Sequence, residues 1–158
     1  MSIQVNQEAP DFTLFSNKIE PFRLSDHRGH PTLLLFFPGA FTSVCTDELN
    51  AVNNDLDAFG GDAVQVAGIS TDSPFVLNEF SDVNQFSFPL LSDHDAEVSA
   101  AYGAKYDNDF TDMKLDRISK RAAFVIDGDG IVRHVEVLDN AGKIPDFDAI
   151  QDALEPLI

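Results

Sequence analysis

Cysteine occurs once in the 158-residue chain, at position 45. The residue follows an apolar run at 32–37, after a short segment that contains Pro38 and Thr42. Ionised cysteine is a strong nucleophile, so a thiolate at this place could carry out covalent chemistry. A lone cysteine beside an apolar strand is also a common small hydrophobic residue of a core. The residues around Cys45 are therefore needed to distinguish a reactive cysteine from an inert one.

The segment before the cysteine has the pattern of a strand end followed by a helix start. Thr42 is placed to cap that helix, so Cys45 falls in the first turn, where free N–H groups and the helix dipole favour a thiolate. That environment contributes only ~0.3–1 kcal/mol, and up to ~2 when buried. Lowering the pKa of a thiol from ~8.5 to ~6 takes about 3.4 kcal/mol, and the neighbouring Asp47 and Glu48 oppose ionisation. A fixed cation at ~4 Å contributes about 4 kcal/mol at an effective dielectric constant of ~20, so we expect an arginine or lysine from elsewhere in the chain.

The elements that position this segment are predicted from hydrophobic period and from turn residues. Residues 32–37 form a continuous apolar run between Pro31 and Pro38, which is typical of a buried central strand. Residues 127–130, Asp-Gly-Asp-Gly, are a strong hairpin signal. The predicted strands are 9–14, 21–24, 32–37, 63–70, 88–91, 122–126 and 131–138, the predicted helices are 43–59, 74–86, 96–102 and 145–157, and residues 105–119 are predicted to be a loop.

These elements alternate between strand and helix early in the chain and end with a hairpin and a helix. That order predicts an α/β protein with a mixed central sheet flanked by helices on both faces. It is the arrangement of a thioredoxin-like fold, with additional material at the N-terminus and in the middle of the chain. At this length we expect a single domain over residues 1–158.

The chain is strongly acidic, with 27 Asp and Glu residues against 10 Lys and Arg residues and a net charge of −17. Nucleic acids and anionic membrane surfaces repel such a protein, so neither is expected as a partner. Because the acids are spread along the chain, a solvated surface that serves solubility explains them best. A sharper hypothesis is adaptation to a salty cytosol, where the Debye length falls to ~3 Å at 1 M salt and self-repulsion is screened.

We expect a cytoplasmic protein from the absence of targeting patterns in the sequence. The first ten residues have neither a basic cluster nor an apolar run, and no apolar stretch approaches the ~20 residues of a membrane span. A single cysteine also excludes an intrachain disulfide.

No metal or cofactor site is predicted from the sequence. The four histidines are scattered, and His27 and His30 alone are too few ligands without a carboxylate cluster or thiolates. Residues 127–130 are too short for a calcium loop, and no Gly-rich phosphate loop is present.

The stretch Pro38-x-x-x-Thr42-x-x-Cys45 resembles the active-site signature of the peroxiredoxins. Glu48 matches the acidic residue that often follows this signature in the family. The resemblance extends over nearly the whole chain, and it looks most like the single-cysteine alkyl hydroperoxide reductase E group. The other matching stretches are 9–14, 71–73, 88–93 and 121–127.

The resemblance also supplies the cation that the cysteine needs. Arg121 occupies the place of the family's catalytic arginine, at the start of the strand that leads into the hairpin. Arg117 and Arg133 are competitors for this role. Lys120 is a weaker competitor, because an ammonium group lacks the planar fork of a guanidinium.

The mechanism implied by the resemblance is a displacement at oxygen. The Cys45 thiolate attacks one peroxide oxygen, an alcohol or water leaves, and the sulfur becomes a sulfenic acid. Thr42 would hold the peroxide in line with the sulfur. Arg121 and the backbone N–H of Cys45 would stabilise the developing charge. Pro38 would cover the thiolate and limit the access of water.

The resemblance and the lone cysteine together indicate which partners to expect. Without a second cysteine, the sulfenic acid must be reduced by an external thiol, either a small thiol or a thioredoxin- or glutaredoxin-like protein. Hydrogen peroxide and alkyl hydroperoxides are the expected substrates, because neutral molecules are not repelled by the negative chain. Phe36, Phe37 and Phe41 could line an apolar approach to the site, although core packing explains these rings equally well. A homodimer or a larger homo-oligomer is expected from the resemblance.

Two other functions stay open at this point. A redox sensor or holdase would use the same sulfenic acid to recruit a partner protein. A thioredoxin-like domain with an inert, buried Cys45 would have no peroxide chemistry. Peroxide consumption that requires added thiol indicates the enzyme, oxidation without turnover indicates the sensor, and an unreactive thiol indicates the inert domain.

Overall fold

The computed structural model describes residues 3–107, 110 and 112–158. Within these residues the strands are β1 (Thr13–Ser16), β2 (Pro21–Arg23), β3 (Thr32–Phe36), β4 (Gln65–Ser70), β5 (Leu90–Ser92), β6 (Arg121–Ile126) and β7 (Val132–Leu138). The α-helices are α1 (Ser43–Asn53), α2 (Pro74–Asn84), α3 (Glu97–Ala101) and α4 (Phe147–Leu154). Short 3₁₀ turns cover Leu24–His27, Leu56–Phe59, Gly61–Ala63 and Glu155–Leu157.

The described strands form one sheet in the order β2-β1-β5-β4-β3-β6-β7. β4 pairs in parallel with both β3 and β5, whereas β1 pairs antiparallel with β2 and β5, and β6 pairs antiparallel with β3 and β7. The predicted mixed sheet is therefore confirmed, and the protein has the thioredoxin-like fold of the α/β class.

β3 is an interior strand of the sheet, between β4 and β6, and all five of its residues are buried. Side chains alternate between the two faces of a strand, so Leu33 and Leu35 enter one core while Leu34 and Phe36 enter the other. The first core contains side chains from α1, α2 and α4, and the second contains Tyr102 and residues from the N-terminal segment. A continuous apolar run is what a strand covered on both faces requires.

Two predicted boundaries were wrong for local reasons. The first strand was predicted at 9–14 and is observed at Thr13–Ser16. The residues before it bond to the turn between β6 and β7 instead of to β2 or β5, and the Ala9 N–H donates to the Gly130 carbonyl at 2.9 Å. The helix predicted to reach residue 59 ends at Asn53 and continues as a 3₁₀ turn that closes at Gly60, with φ +100°. Polar side chains that bond to the backbone disfavour a helix interior, and the Asn53 carboxamide oxygen accepts from the Ser87 N–H at 3.0 Å.

The remaining elements are close to their predicted positions. Ser73 caps α2 by accepting from the Val76 N–H at 3.3 Å, with Pro74 at the first helical position, as the sequence predicts. The hairpin between β6 and β7 is confirmed, and the Gly130 N–H donates to the Asp127 carbonyl at 3.0 Å. In the predicted loop at 105–119, the described residues form no named helix or strand beyond an isolated bridge between Lys105 and Ser119; positions 108, 109 and 111 of that loop lie outside the described residues.

Candidate active site

The polypeptide leaves β3 through a tight turn before α1 begins. Pro38 is buried at the end of the strand, and Phe41 adopts a left-handed backbone conformation with φ +64°. Thr42 is the residue that precedes the helix, as predicted, but its side chain makes no cap hydrogen bond to the helix. Its hydroxyl donates instead to the Gly39 carbonyl at 2.7 Å. Thr42 therefore occupies the predicted N-cap position, although its hydroxyl closes the turn before the helix and does not bond to a helix N–H.

Cys45 is the third residue of α1 and is only 1% exposed. It lies in the core shared by α1, α2 and α4, next to side chains such as Leu49. The Arg121 Nη2 atom donates to Cys45 Sγ at 3.3 Å. A buried cysteine with a guanidinium on its sulfur is not simply packed as a hydrophobe.

The register of β6 explains why Arg121 arrives at this point. β6 runs antiparallel to β3, with Ala122 opposite Phe36, so the first residue of β6 lies where β3 ends and α1 starts. Arg121 is 1% exposed, and both of its terminal nitrogens donate hydrogen bonds. Nη1 donates to Glu48 Oε1 at 2.7 Å, and Nη2 donates to both Cys45 and the Ala141 carbonyl, the latter at 2.9 Å.

Glu48 lies one helical turn after Cys45 on the same face of α1, which places both side chains against the guanidinium. The carboxylate is fully buried, and burial raises the pKa of Glu48 to about 7 although the charge and hydrogen bond of Arg121 lower it. Glu136 adds a further upward influence on that pKa. Burial also opposes the charge of Arg121, but Glu48 and Cys45 hold its pKa above the ordinary value.

The other candidate cations lie elsewhere. Arg133 pairs with Asp127 at 2.8 Å, Lys120 pairs with Asp139 at 2.8 Å, and Arg117 is exposed. Of the four cations considered from the sequence, the structure brings Arg121 to the sulfur. Pro38, Thr42, Cys45 and Glu48 are also brought together around the same strand end and helix start.

Comparison with known proteins identifies the family to which this chain belongs. The model of the AhpC/TSA family matches residues 5–135. Alkyl hydroperoxide reductase E of Mycobacterium bovis is 36% identical over 159 residues, which is 98% of each chain. Peroxiredoxin Bcp of Escherichia coli is 35% identical over 127 residues, which is 80% of this chain and 81% of the relative. The chain belongs to the AhpC/TSA family.

Solved structures of peroxiredoxins agree with this assignment. Peroxidoxin BcpB from Mycobacterium tuberculosis has a TM-score of 0.81 at 31% identity, over 98% of this chain and 96% of that one. A peroxiredoxin-like protein from Aquifex aeolicus has a TM-score of 0.89 at 22% identity, over 100% of this chain and 90% of that one, and shows the fold alone. The predicted membership in the peroxiredoxins, a family of thiol peroxidases, is confirmed.

Two contacts of this peroxiredoxin were not foreseen from the sequence. The Asp72 carboxylate accepts from the Ala40 N–H at 2.8 Å and so ties the turn before α1 to the end of β4. The Ala141 carbonyl shares Nη2 of Arg121 with the sulfur. Asp72 belongs to the stretch 71–73 that matches the family, but no role was predicted for it from the sequence. The Ala141 carbonyl could not be found from the sequence, because a backbone acceptor is not marked by its side chain.

The phenylalanines near this peroxiredoxin's cysteine divide into two groups. Phe36 and Phe37 are fully buried and belong to the two cores. Phe41 is 53% exposed and lies 5.1 Å from the ring of Phe80. Of the three rings considered for an apolar approach, Phe41 alone is open to solvent.

In the part of the chain that the structure describes, no three His, Cys, Asp or Glu side chains are grouped as metal ligands. His27 stacks on Phe22 at 4.4 Å, and His94 Nδ1 lies 3.0 Å from the Thr71 carbonyl. No helix among the same described residues is long and apolar enough to cross a membrane.

Proposed function

We propose that this peroxiredoxin reduces hydrogen peroxide and alkyl hydroperoxides through a sulfenic acid on Cys45, and that an external thiol returns the cysteine to its reduced form. The observation that carries the proposal is the 3.3 Å contact between Arg121 Nη2 and Cys45 Sγ at the first turn of α1. A guanidinium on a sulfur at a helix start favours the ionised, nucleophilic form of that sulfur.

The first step is a displacement on the peroxide. The Cys45 sulfur attacks the terminal hydroxyl oxygen, an S–O bond forms, and the O–O bond breaks. The hydroxyl group stays on sulfur as the sulfenic acid, and the alkoxide or hydroxide that leaves takes up a proton to become an alcohol or water.

Thr42 is proposed to orient the peroxide. Its single hydroxyl proton is already donated to the Gly39 carbonyl, so its oxygen can take part in a further hydrogen bond only as an acceptor. The O–H of the peroxide is the donor that such an oxygen suits, and this contact would aim the terminal oxygen at the sulfur.

Charge stabilisation is proposed to come from Arg121 and from the N–H of Cys45. The first N–H groups of a helix have no partner within the helix, so that of Cys45 is available to an oxygen beside the sulfur. Burial of Pro38 and of the cysteine itself keeps bulk water from the sulfur. In that low-dielectric setting the cation acts more strongly than in water.

The second step follows from the single cysteine of the 158 residues. An external thiol attacks the sulfenic acid, water leaves, and a mixed disulfide forms. A second thiol then releases the Cys45 thiolate and leaves as part of a disulfide of the reductant. We propose a small thiol or a thioredoxin- or glutaredoxin-like protein in this role, which fits a single-cysteine mechanism and a reducing, cytoplasmic setting.

We also propose that the chain is one domain that associates as a homodimer or larger homo-oligomer. The sheet supports the single domain, because β1 and β7, from opposite ends of the chain, are strands of the same sheet. The expected association rests on the family resemblance, and sedimentation of the intact protein measures it.

The enzyme is tested by turnover. Peroxide loss is followed with catalytic amounts of protein, with and without dithiothreitol, and with Cys45→Ser as the matched control. The proposal expects many turnovers that require the thiol and that disappear in Cys45→Ser. One equivalent of oxidation without turnover would favour a redox sensor instead, and an unreactive thiol would indicate an inert domain.

A further inference from the structure

Asp72 is the second residue after β4, next to the turn that leads from Pro38 into α1. We propose that Asp72 is a positioning residue for peroxide reduction, whose carboxylate holds the turn at 39–41 in the conformation that lets Thr42 and Cys45 reach the same peroxide. This inference rests on the proposed function. It assigns a role to a residue that touches neither the sulfur nor the arginine through any described hydrogen bond.

The turn needs an outside restraint because it contains a strained residue. Phe41 has φ +64°, a conformation that residues with a side chain rarely adopt and that persists only where the surroundings impose it. Three contacts impose it here. The Ala40 N–H donates to Asp72 Oδ2 at 2.8 Å, the Thr42 hydroxyl donates to the Gly39 carbonyl at 2.7 Å, and the ring of Phe41 lies 5.1 Å from that of Phe80.

Of these contacts, the one to Asp72 connects the turn to the sheet. The Ser70 hydroxyl donates to the same Oδ2 atom at 2.7 Å, which orients the carboxylate. The Ser92 hydroxyl donates to the Asp72 carbonyl at 2.6 Å, and the Asp93 N–H donates to the Ser70 carbonyl at 2.8 Å. The ends of β4 and β5 therefore place the oxygen that accepts from Ala40.

The reaction has two requirements, a thiolate on Cys45 and an aligned peroxide, and they depend on different contacts. Formation of the thiolate depends on Arg121 and the helix start, whereas alignment of the peroxide depends on where the turn places Thr42. Loss of the Asp72 contact should impair the second requirement and leave the first in place. A displacement of a reacting group by about 1 Å can cost a factor of about 100 in rate.

The test compares Asp72→Ala with Asp72→Asn in the full chain. The asparagine keeps an oxygen that can accept from Ala40 and Ser70, so the two variants share the loss of charge and differ in the hydrogen bonds. Asp82→Ala, which removes an exposed acid from α2, is the charge control. The rate constant of Cys45 is measured over a pH series, with hydrogen peroxide and separately with iodoacetamide, which needs the thiolate but no peroxide alignment.

We expect Asp72→Ala to lose about tenfold or more in the peroxide rate constant, while its iodoacetamide rate constant and pH midpoint equal those of Asp72→Asn. Asp72→Asn should stay within about threefold of the wild type with peroxide. Equal peroxide losses in the two variants would overturn the inference, as would a parallel loss of alkylation or a wild-type rate in Asp72→Ala.

If Asp72→Ala does not fold, Ser70→Ala tests the same connection, because it removes the hydroxyl that orients the carboxylate. A smaller loss confined to the peroxide reaction supports the inference, and an unchanged peroxide rate contradicts it. Failure of the proposed function is seen separately, in the wild type alone, as a Cys45 that reacts with peroxide no faster than a free thiol.

Discussion

Two ion pairs begin at adjacent residues of this peroxiredoxin, and their surroundings are opposite. Arg121 contacts Glu48 at 2.7 Å with both side chains almost fully buried. Lys120 contacts Asp139 at 2.8 Å, with the side chains 23% and 89% exposed. Lys120 precedes β6, whose six residues are all buried, so one step along the chain takes the cation from a partly exposed position into the core. Nearly equal distances therefore describe very different interactions.

The distance between two charges does not by itself determine how much an ion pair contributes to stability. The exposed pair is screened by water and salt and holds two flexible side chains for little gain. The buried pair has a large desolvation cost, and removal of one partner leaves the other charge without compensation. It also serves the cysteine, since the Arg121 charge is shared between Glu48 and Cys45.

The largest effect should come from breaking the buried pair. At pH 8, Arg121→Met leaves a carboxylate in the core without its cation and should lower the free energy of unfolding by about 3–5 kcal/mol. The double variant Arg121→Met with Glu48→Leu removes both charges and should recover most of that loss. Urea unfolding followed by circular dichroism measures both, with Lys120→Met as the matched control. Equal losses in Arg121→Met and Lys120→Met would show that burial does not separate the two pairs.

The next effect is a pH dependence that belongs to Glu48. Burial raises the pKa of Glu48 from 4.5 to about 7, so the folded state binds its proton more tightly than the unfolded chain. Stability should therefore fall as pH rises from about 4.5 through about 7. Between pH 5 and pH 8 the wild type should lose about 2–3 kcal/mol relative to Glu48→Gln, which keeps an acceptor for Arg121 but does not titrate. Parallel pH profiles for the two proteins in urea unfolding would contradict this account of the buried carboxylate.

A smaller effect should separate surface charge from core charge. The net charge of −17 predicts self-repulsion in dilute buffer, so the unfolding midpoint should rise as salt increases toward about 1 M. The difference between wild type and Arg121→Met should change little over that range, because buried charges are screened weakly. Full stability in dilute buffer, with no gain from salt, would count against adaptation to a salty cytosol.

The smallest effect should come from the exposed pair. The hydrogen bond and charge of Lys120 hold the pKa of Asp139 below its ordinary value, so any stabilisation is present above that ordinary value and is lost as pH falls through the lowered one. Asp139→Asn should shift the urea midpoint only slightly, and only at low salt. A shift as large as that of Arg121→Met would remove the contrast between the pairs.

Part of the site could be predicted because it is contiguous. Pro38, Thr42, Cys45 and Glu48 lie within one strand end and helix start, so their spacing alone indicates a common location. Arg121 lies 76 residues after Cys45. Physical reasoning required a cation near the sulfur but did not choose among the four candidate arginine and lysine residues. The resemblance made that choice, and the antiparallel register of β3 and β6 explains it.

The details that were missed involve backbone groups. Neither the Ala40 N–H that binds Asp72 nor the Ala141 carbonyl that binds Arg121 is marked by its side chain. The fold was predictable where runs were fully apolar, as in β3, and less so where polar residues compete with the helix backbone, as after Asn53. Thr42 holds the predicted N-cap position, but its hydroxyl bonds elsewhere, because a hydroxyl near a helix start can also close the preceding turn.

The proposed role of Arg121 at Cys45 is tested most directly by mass spectrometry of the intact protein. Wild type, Arg121→Ala and Arg117→Ala each receive one equivalent of hydrogen peroxide and are quenched over time with a reagent that traps sulfenic acid. The account predicts rapid formation of sulfenic acid on Cys45 in wild type and Arg117→Ala, and a rate lower by a factor of about 100 or more in Arg121→Ala. Oxidation of wild-type Cys45 no faster than that of a free thiol, or an unchanged rate in Arg121→Ala, would contradict it.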